Sequence, residues 1–260
     1  MVAEMIKDMP IDVVIMAGGV VPDSLKGFTG KKSKAMLKIG DRYMVEYVVD
    51  AVRGMKGVGK VICVGHEDEI GQVLGGRVDV MVPSVDSMME NLRAGLRAVA
   101  GTDLVLICTC DIPLITSAVL EDFIRTCKKR QTDLCYPIVE KAVNERLFPS
   151  VKRTYVRLKD GVFTGGNVVL VNPTVFEAHW ALIERAMALR KSPLKLLRML
   201  GIFFVLRFIF RQLSIANIES KVEKILGFHA AAVIVPHPEI GIDVDKESDY
   251  KIILEALTKK

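Results

Sequence analysis

Over about the first 140 residues, short β-branched runs alternate with segments of helical period. The runs at 12–16, 60–64, 78–82, 103–109 and 133–138 read as strands. Between them, 43–54, 68–74, 87–99 and 117–129 read as helices, the last with Thr116 or Ser117 as its cap. Strict strand–helix alternation restricts the chain to an α/β architecture with a mostly parallel sheet. The runs Val-Val-Ile-Met-Ala-Gly-Gly and Leu-Val-Leu-Ile-Cys-Thr-Cys-Asp are apolar without alternation. Such strands are covered on both faces, so the expected fold is a three-layer α/β/α sandwich with a twisted sheet.

The pattern changes after about residue 140. Residues 144–159 are polar and basic with little periodicity. A strand is expected at 166–171, then mainly helical sequence, a late strand at 231–235 and a last helix at 246–257. The economical reading of residues 1–260 is one domain with a helical insertion at about 176–227.

Composition narrows the class. The 260 residues hold 36 Lys and Arg against 31 Asp and Glu, a formal charge of +5. With 26% charged residues the chain is not of disordered type, and five scattered Cys do not make a disulfide scaffold. Mean hydropathy is high at +0.32, although aromatic residues make up only 6%. Much of that apolar character lies in Met199–Phe210, which is too short to cross a bilayer and is broken by Arg207; about 20 apolar residues would be needed. No acid occurs between Arg185 and Arg211, whereas Arg190, Lys191, Lys195 and Arg198 fall inside that span. A buried or dimer-forming helix is one expectation for 185–211, and a helix lying on an anionic membrane surface is the other. The N-terminus has no signal-peptide pattern, so a cytoplasmic location is expected, with membrane-peripheral contact as the alternative.

In open α/β sheets, ligands bind at the carboxyl ends of strands. The first strand ends in Ala17-Gly18-Gly19, where backbone N–H groups can approach a phosphate or a base. No GxGxxG fingerprint or P-loop GK[ST] follows. Lys26, Lys31, Lys32, Lys34 and Lys38 crowd the next segment. The fourth strand runs into Asp111, and Pro113 forces an irregular exit. A strand-end carboxylate suits Mg²⁺, which takes one or two carboxylates and fills its other positions with phosphate and water. Asp243 and Asp245 form a second acidic pair that could share the ion. No HExxH or GxSxG constellation is present.

Taken in order, Ala17–Gly19, Lys34–Leu37, Cys110–Leu114, Thr164–Val171 and Ile242–Tyr250 resemble the motifs of nucleotidyltransferases with a GT-A-type nucleotide-diphosphosugar transferase fold. The likeness is greatest to the MobA-like branch, and it covers 11–175 and 228–258. It implies an enzyme that transfers NMP from an NTP to a phosphorylated acceptor, with Mg²⁺ as cofactor and pyrophosphate as leaving group. The acceptor could be a molybdopterin-like, sugar or polyol phosphate. By the same resemblance, Ala17, Gly18 and Gly19 would hold the nucleotide and Lys34 the triphosphate. Asp111 and Asp243 would bind the metal, Gly166 and Asn167 would face the acceptor, and Asn91 would help read the base. The family usually carries an Arg soon after its glycine turn, whereas here the run is Gly-Gly-Val-Val-Pro-Asp-Ser-Leu-Lys-Gly. Two other functions fit less well. A GT-A glycosyltransferase would normally show DxD where this chain has Thr109-Cys110-Asp111. A non-catalytic nucleotide-binding or membrane-associated regulator would account for the missing Arg and the basic-apolar block. Nucleic acid is not an expected partner.

Overall fold

A computed structural model describes residues 10–99, 101–189 and 199–258. The strands are β1 (Ile11–Ala17), β2 (Lys38–Ile39), β3 (Arg42–Tyr43), β4 (Val58–Gly65), β5 (Val80–Pro83), β6 (Val105–Thr109), β7 (Leu134–Glu140), β8 (Val156–Leu158), β9 (Gly161–Gly165), β10 (Val168–Val171) and β11 (Ala230–Ile234). The helices are α1 (Met44–Arg53), α2 (Glu67–Leu74), α3 (Met88–Arg97), α4 (Ser117–Lys128), α5 (Lys141–Leu147), α6 (Pro173–Ala178), α7 (Trp180–Leu189), α8 (Ile202–Ile209), α9 (Ile215–Leu226) and α10 (Glu247–Thr258).

Among the described residues, nine strands form one sheet in the order β5-β4-β1-β6-β10-β7-β9-β8, with β11 also paired to β7. The β1 pairings to β4 and β6, and the β7 pairing to β11, are parallel. β9 and β10 run antiparallel to β7, and β10 runs antiparallel to β6. The fold is therefore the expected mixed, mostly parallel sheet flanked by helices.

Alternation along the central strands builds the two outer layers. Val13 and Ile15 of β1 join a core with Val48 and Val52 of α1 and Leu120 and Phe123 of α4. Val14 packs the opposite way, against Leu96 of α3, Phe176 of α6, and Trp180 and Ile183 of α7. Helix α3 lies so close that a Cβ on Gly95 would fall 2.6 Å from Val14 Cγ1. Thr116 caps α4 by accepting from the Val119 N–H, as expected. All five cysteines are free and buried.

Several elements differ from the sequence reading. The polar stretch after residue 140 is not one irregular loop, because it carries α5 and the first strand of the β8–β9 hairpin. The strand expected at 166–171 begins at Val168. Gly166 and Asn167 form a break between β9 and β10, which follow one antiparallel path along β7. At this break the Gly166 N–H donates to Pro137 O (3.0 Å) and the Asn167 N–H to Ile240 O (2.8 Å). A Cβ on Gly166 would sit 2.9 Å from Pro137 Cγ, so the break needs a glycine there.

Around the 176–227 stretch, the described helices pack on the rest of the fold. Trp180 and Ile183 belong to the main core, and α9 packs on β11. Only α8 stands out. It buries none of its residues, which corrects the expectation of a helix buried within the chain. Arg190, Lys191, Lys195 and Arg198 lie outside the described residues.

Candidate active site

The carboxyl ends of β1 and β6 lie side by side, with Met16 opposite Thr109. The chain leaves β1 through Ala17, Gly18 and Gly19. Gly18 is packed tightly, since a Cβ there would fall 2.8 Å from Ser84 Cβ and 3.0 Å from Asn91 Nδ2. The glycine turn and the loop after β5 therefore form one wall. Asn91 stiffens that loop: its Oδ1 accepts from the Val85 N–H and its Nδ2 donates to Val85 O, both at 2.7 Å. Its amide is engaged with backbone, so it shapes the wall from behind.

The basic segment after β1 folds back through a bridge between Val20 and Ser33. Its return is pinned by Glu69, whose carboxylate accepts from the Lys32 and Ser33 N–H groups. The Lys34 N–H donates to Gly19 O at 2.8 Å. This brings Lys34 against the end of β6. Its Nζ lies 2.6 Å from both Asp111 Oδ2 and Asp245 Oδ1.

Asp111 follows directly from β6. Its Oδ1 accepts from the Thr109 hydroxyl at 2.5 Å, and its carbonyl accepts from the Val244 N–H at 3.0 Å. That backbone bond stitches the Asp243-Val244-Asp245 segment to the strand end. Carboxylate oxygens of Asp111, Asp243 and Asp245 all lie within 4.8 Å of one another. Arg153 supports the far side: its Nη1 is 2.5 Å from Asp243 Oδ1 and its Nη2 donates to Gly165 O at 3.0 Å.

The electrostatics follow from this packing. Burial disfavours the Lys34 ammonium, but Asp111 and Asp245 more than offset it and hold its pKa above the ordinary lysine range. Asp243 is pushed above the usual carboxylate range by burial and by its two like-charged neighbours, against the pull of Arg153. Burial pushes Asp245 up, but the hydrogen bond and charge of Lys34, with the help of Asp243 and Arg153, together hold it below that range. Three carboxylates with only Lys34 and Arg153 interleaved make a hard, oxygen-only donor set, the kind that suits Mg²⁺.

Beside this cluster is a cavity of about 390 Å³, lined by Lys152, Arg153, Gly165, Asn167, Asp243 and Lys246 among others. The fold thus brings together Gly18, Gly19, Lys34, Asp111, Asp243 and Asn167. Sequence reasoning placed Asp245 in the acidic pair but gave it no partner, and the structure pairs it with Lys34; Arg153 was not singled out. The Asp-Val-Asp spacing held the signal for Asp245, because alternate residues of an extended segment share a side and Val244 is buried on the other. Arg153 is one of several cations in a polar, basic stretch and had no such signal.

A family model describing the MobA-like NTP transferase domain matches residues 13–200. The chain is 36% identical to a hypothetical transferase structure from Thermus thermophilus, with a TM-score of 0.84 and coverage of 93% of this chain and 100% of that one. It also resembles 4-diphosphocytidyl-2C-methyl-D-erythritol synthase from Anaerococcus prevotii in fold, at 14% identity and a TM-score of 0.62 over 99% of each chain. CMP:2-keto-3-deoxy-manno-octonic acid synthetase complexed with CTP shares the fold at 12% identity and a TM-score of 0.61, over 96% of this chain and 99% of that one. No curated protein matches. The chain is thus a nucleotidyltransferase and belongs to the MobA-like NTP transferase domain family.

Proposed function

We propose that the enzyme transfers a nucleoside monophosphate from an NTP to a phosphorylated acceptor, in one domain, with Mg²⁺ held by Asp111 and Asp243. The observation that carries this reading is the meeting of Asp111, Asp243, Asp245 and Lys34 at the strand ends, next to a cavity rimmed by Lys152, Arg153 and Lys246. Mg²⁺ bound there would neutralise phosphate charge.

The chain's own residues supply the rest. The backbone at Ala17, Gly18 and Gly19 would receive base and phosphates, against the wall that Asn91 braces. Lys34, drawn off Asp111 and Asp245, would offset charge on the β- and γ-phosphates. Gly166 and Asn167 would face the acceptor, and the cationic rim would hold its phosphate. An acceptor phosphate oxygen forms a bond to the α-phosphorus while the bond from that phosphorus to the bridging oxygen breaks. Pyrophosphate leaves with the electron pair. The acceptor is already anionic near neutral pH, so no strong general base is needed; positioning and charge neutralisation supply the rate. The acceptor is a molybdopterin-like, sugar or polyol phosphate.

A thermal-shift screen of ATP, CTP, GTP and UTP with Mg²⁺ should single out the substrate nucleotide. At 100 times its Kd it should stabilise the fold by about 2.7 kcal/mol. Pyrophosphate release from that NTP across a panel of phosphorylated acceptors then tests the reaction. Release with one acceptor class is the expected result. Nucleotide binding without release across the panel would favour a non-catalytic regulator.

A further inference from the structure

The remaining unexplained feature is α8 and its surroundings. Ile202, Phe203, Ile209 and Phe210 are 65%, 81%, 62% and 68% exposed, and Leu206 lies between them. At about 100° per residue these five positions fall within an arc of about 120° on the solvent side. On the opposite side Phe204 is the anchor, packing into a small core with Leu158, Phe163 and Leu213, while Phe208 on that side remains 46% exposed. The helix is apolar on both sides, with Arg207 its only charged residue, and most of its large apolar side chains face outward. An exposed patch of this kind marks an interaction surface.

The charges around it say what it fits. Arg207, Lys221 and Lys224 line an apolar groove of about 450 Å³ beside the helix. Lys159, Arg207 and Arg211 line the adjoining cavity. Among the described residues none of these five cations has an ion pair with a carboxylate. The acids on the neighbouring helix α9 are engaged elsewhere, Glu219 with Arg130 and Glu223 with His229.

We propose that this face is a membrane-docking surface: α8 lies in the interface of an anionic bilayer, with its phenylalanines and isoleucines among the acyl chains and the flanking cations on lipid phosphates. A second copy of the chain fits less well, because a two-fold contact places a patch against itself and would bring the same cations together. Among the described residues no helix is long and apolar enough to cross the membrane, so docking is peripheral. The face and the acceptor cavity share a hairpin. Phe163 of β9 packs beneath α8, while Thr164 and Gly165 line the cavity. The proposal does not depend on the catalytic reading, since it rests on exposed residues outside that site.

The test is co-sedimentation of the full chain with vesicles of equimolar phosphatidylglycerol and phosphatidylcholine, against phosphatidylcholine alone. The chain should pellet with the anionic vesicles and be released by high salt. Phe203→Ser combined with Ile209→Ser should lower partitioning at least tenfold, with an unchanged melting curve and NTP-induced thermal shift. Arg207→Ala and Arg211→Ala should each lower it about fivefold. The proposal is overturned if the native chain stays in the supernatant with anionic vesicles, or if the Phe203 and Ile209 changes leave pelleting intact. It is equally overturned if light scattering finds a dimer that these changes dissociate while vesicles bind neither form.

Discussion

Asp111→Asn should release pyrophosphate about a thousandfold more slowly than the native enzyme, with its fold intact. Loss of a charge-stabilising group at a transferring phosphate commonly costs two to three orders of magnitude, and Asp111 has two roles here. Its carboxylate is one of three that converge within 4.8 Å, and its backbone carbonyl fixes the segment carrying the other two. Asparagine preserves the backbone bond and most of the shape, so the effect isolates the charge. A variant that kept more than a tenth of native pyrophosphate release would remove Asp111 from the chemistry. Circular dichroism melting supplies the folding control.

Lys34→Met should have two large effects that differ in kind. Lys34 is 9% exposed and bridges Asp111 and Asp245. Deleting one partner of a mostly buried ion pair leaves the other charge uncompensated, at about 3–5 kcal/mol; the outward position of Asp245 places the cost near the lower end, about 3 kcal/mol. Urea denaturation in EDTA reads this loss directly. Adding Mg²⁺ should then stabilise the variant more than it stabilises the native enzyme, because no ammonium competes for the carboxylates. Pyrophosphate release should still fall about a hundredfold, since the triphosphate has lost its lysine. Equal stability of the two proteins in EDTA would mean that Lys34 is not the cation holding the acidic cluster together.

The layered sheet was legible because its strands are uninterrupted apolar runs of the right length, punctuated by glycines and caps. Val13 to Ala17 and Val105 to Thr109 could hardly be anything but central strands. The antiparallel path through β9 and β10 was only half legible. The strand expected at 166–171 took in Gly166 and Asn167, and only the approach of Pro137 and Ile240 shows that these two residues form a break within one path. Asp111 was legible from its place at a strand end, and Lys34 was singled out from its crowded lysine segment by the family resemblance. The exact pairing was not, since Lys34 and Asp245 are 211 positions apart and no local pattern decides which aspartate meets the lysine. Arg153 shows the same limit, because its partners Asp243 and Gly165 are chosen by the fold. For α8 the ordinary rule pointed the wrong way. A run such as Ile-Phe-Phe-Val-Leu is normally buried, and its exposure follows from the small anchoring core, where Phe204 supplies the inward contact.

The proposed divalent-cation site is tested most directly by electron paramagnetic resonance titration of Mn²⁺ into the enzyme with its preferred NTP, native beside Asp111→Asn. The carboxylate cluster predicts one tight nucleotide-dependent Mn²⁺ per native chain and a loss of that binding in the variant. Identical titrations of the two proteins would contradict it.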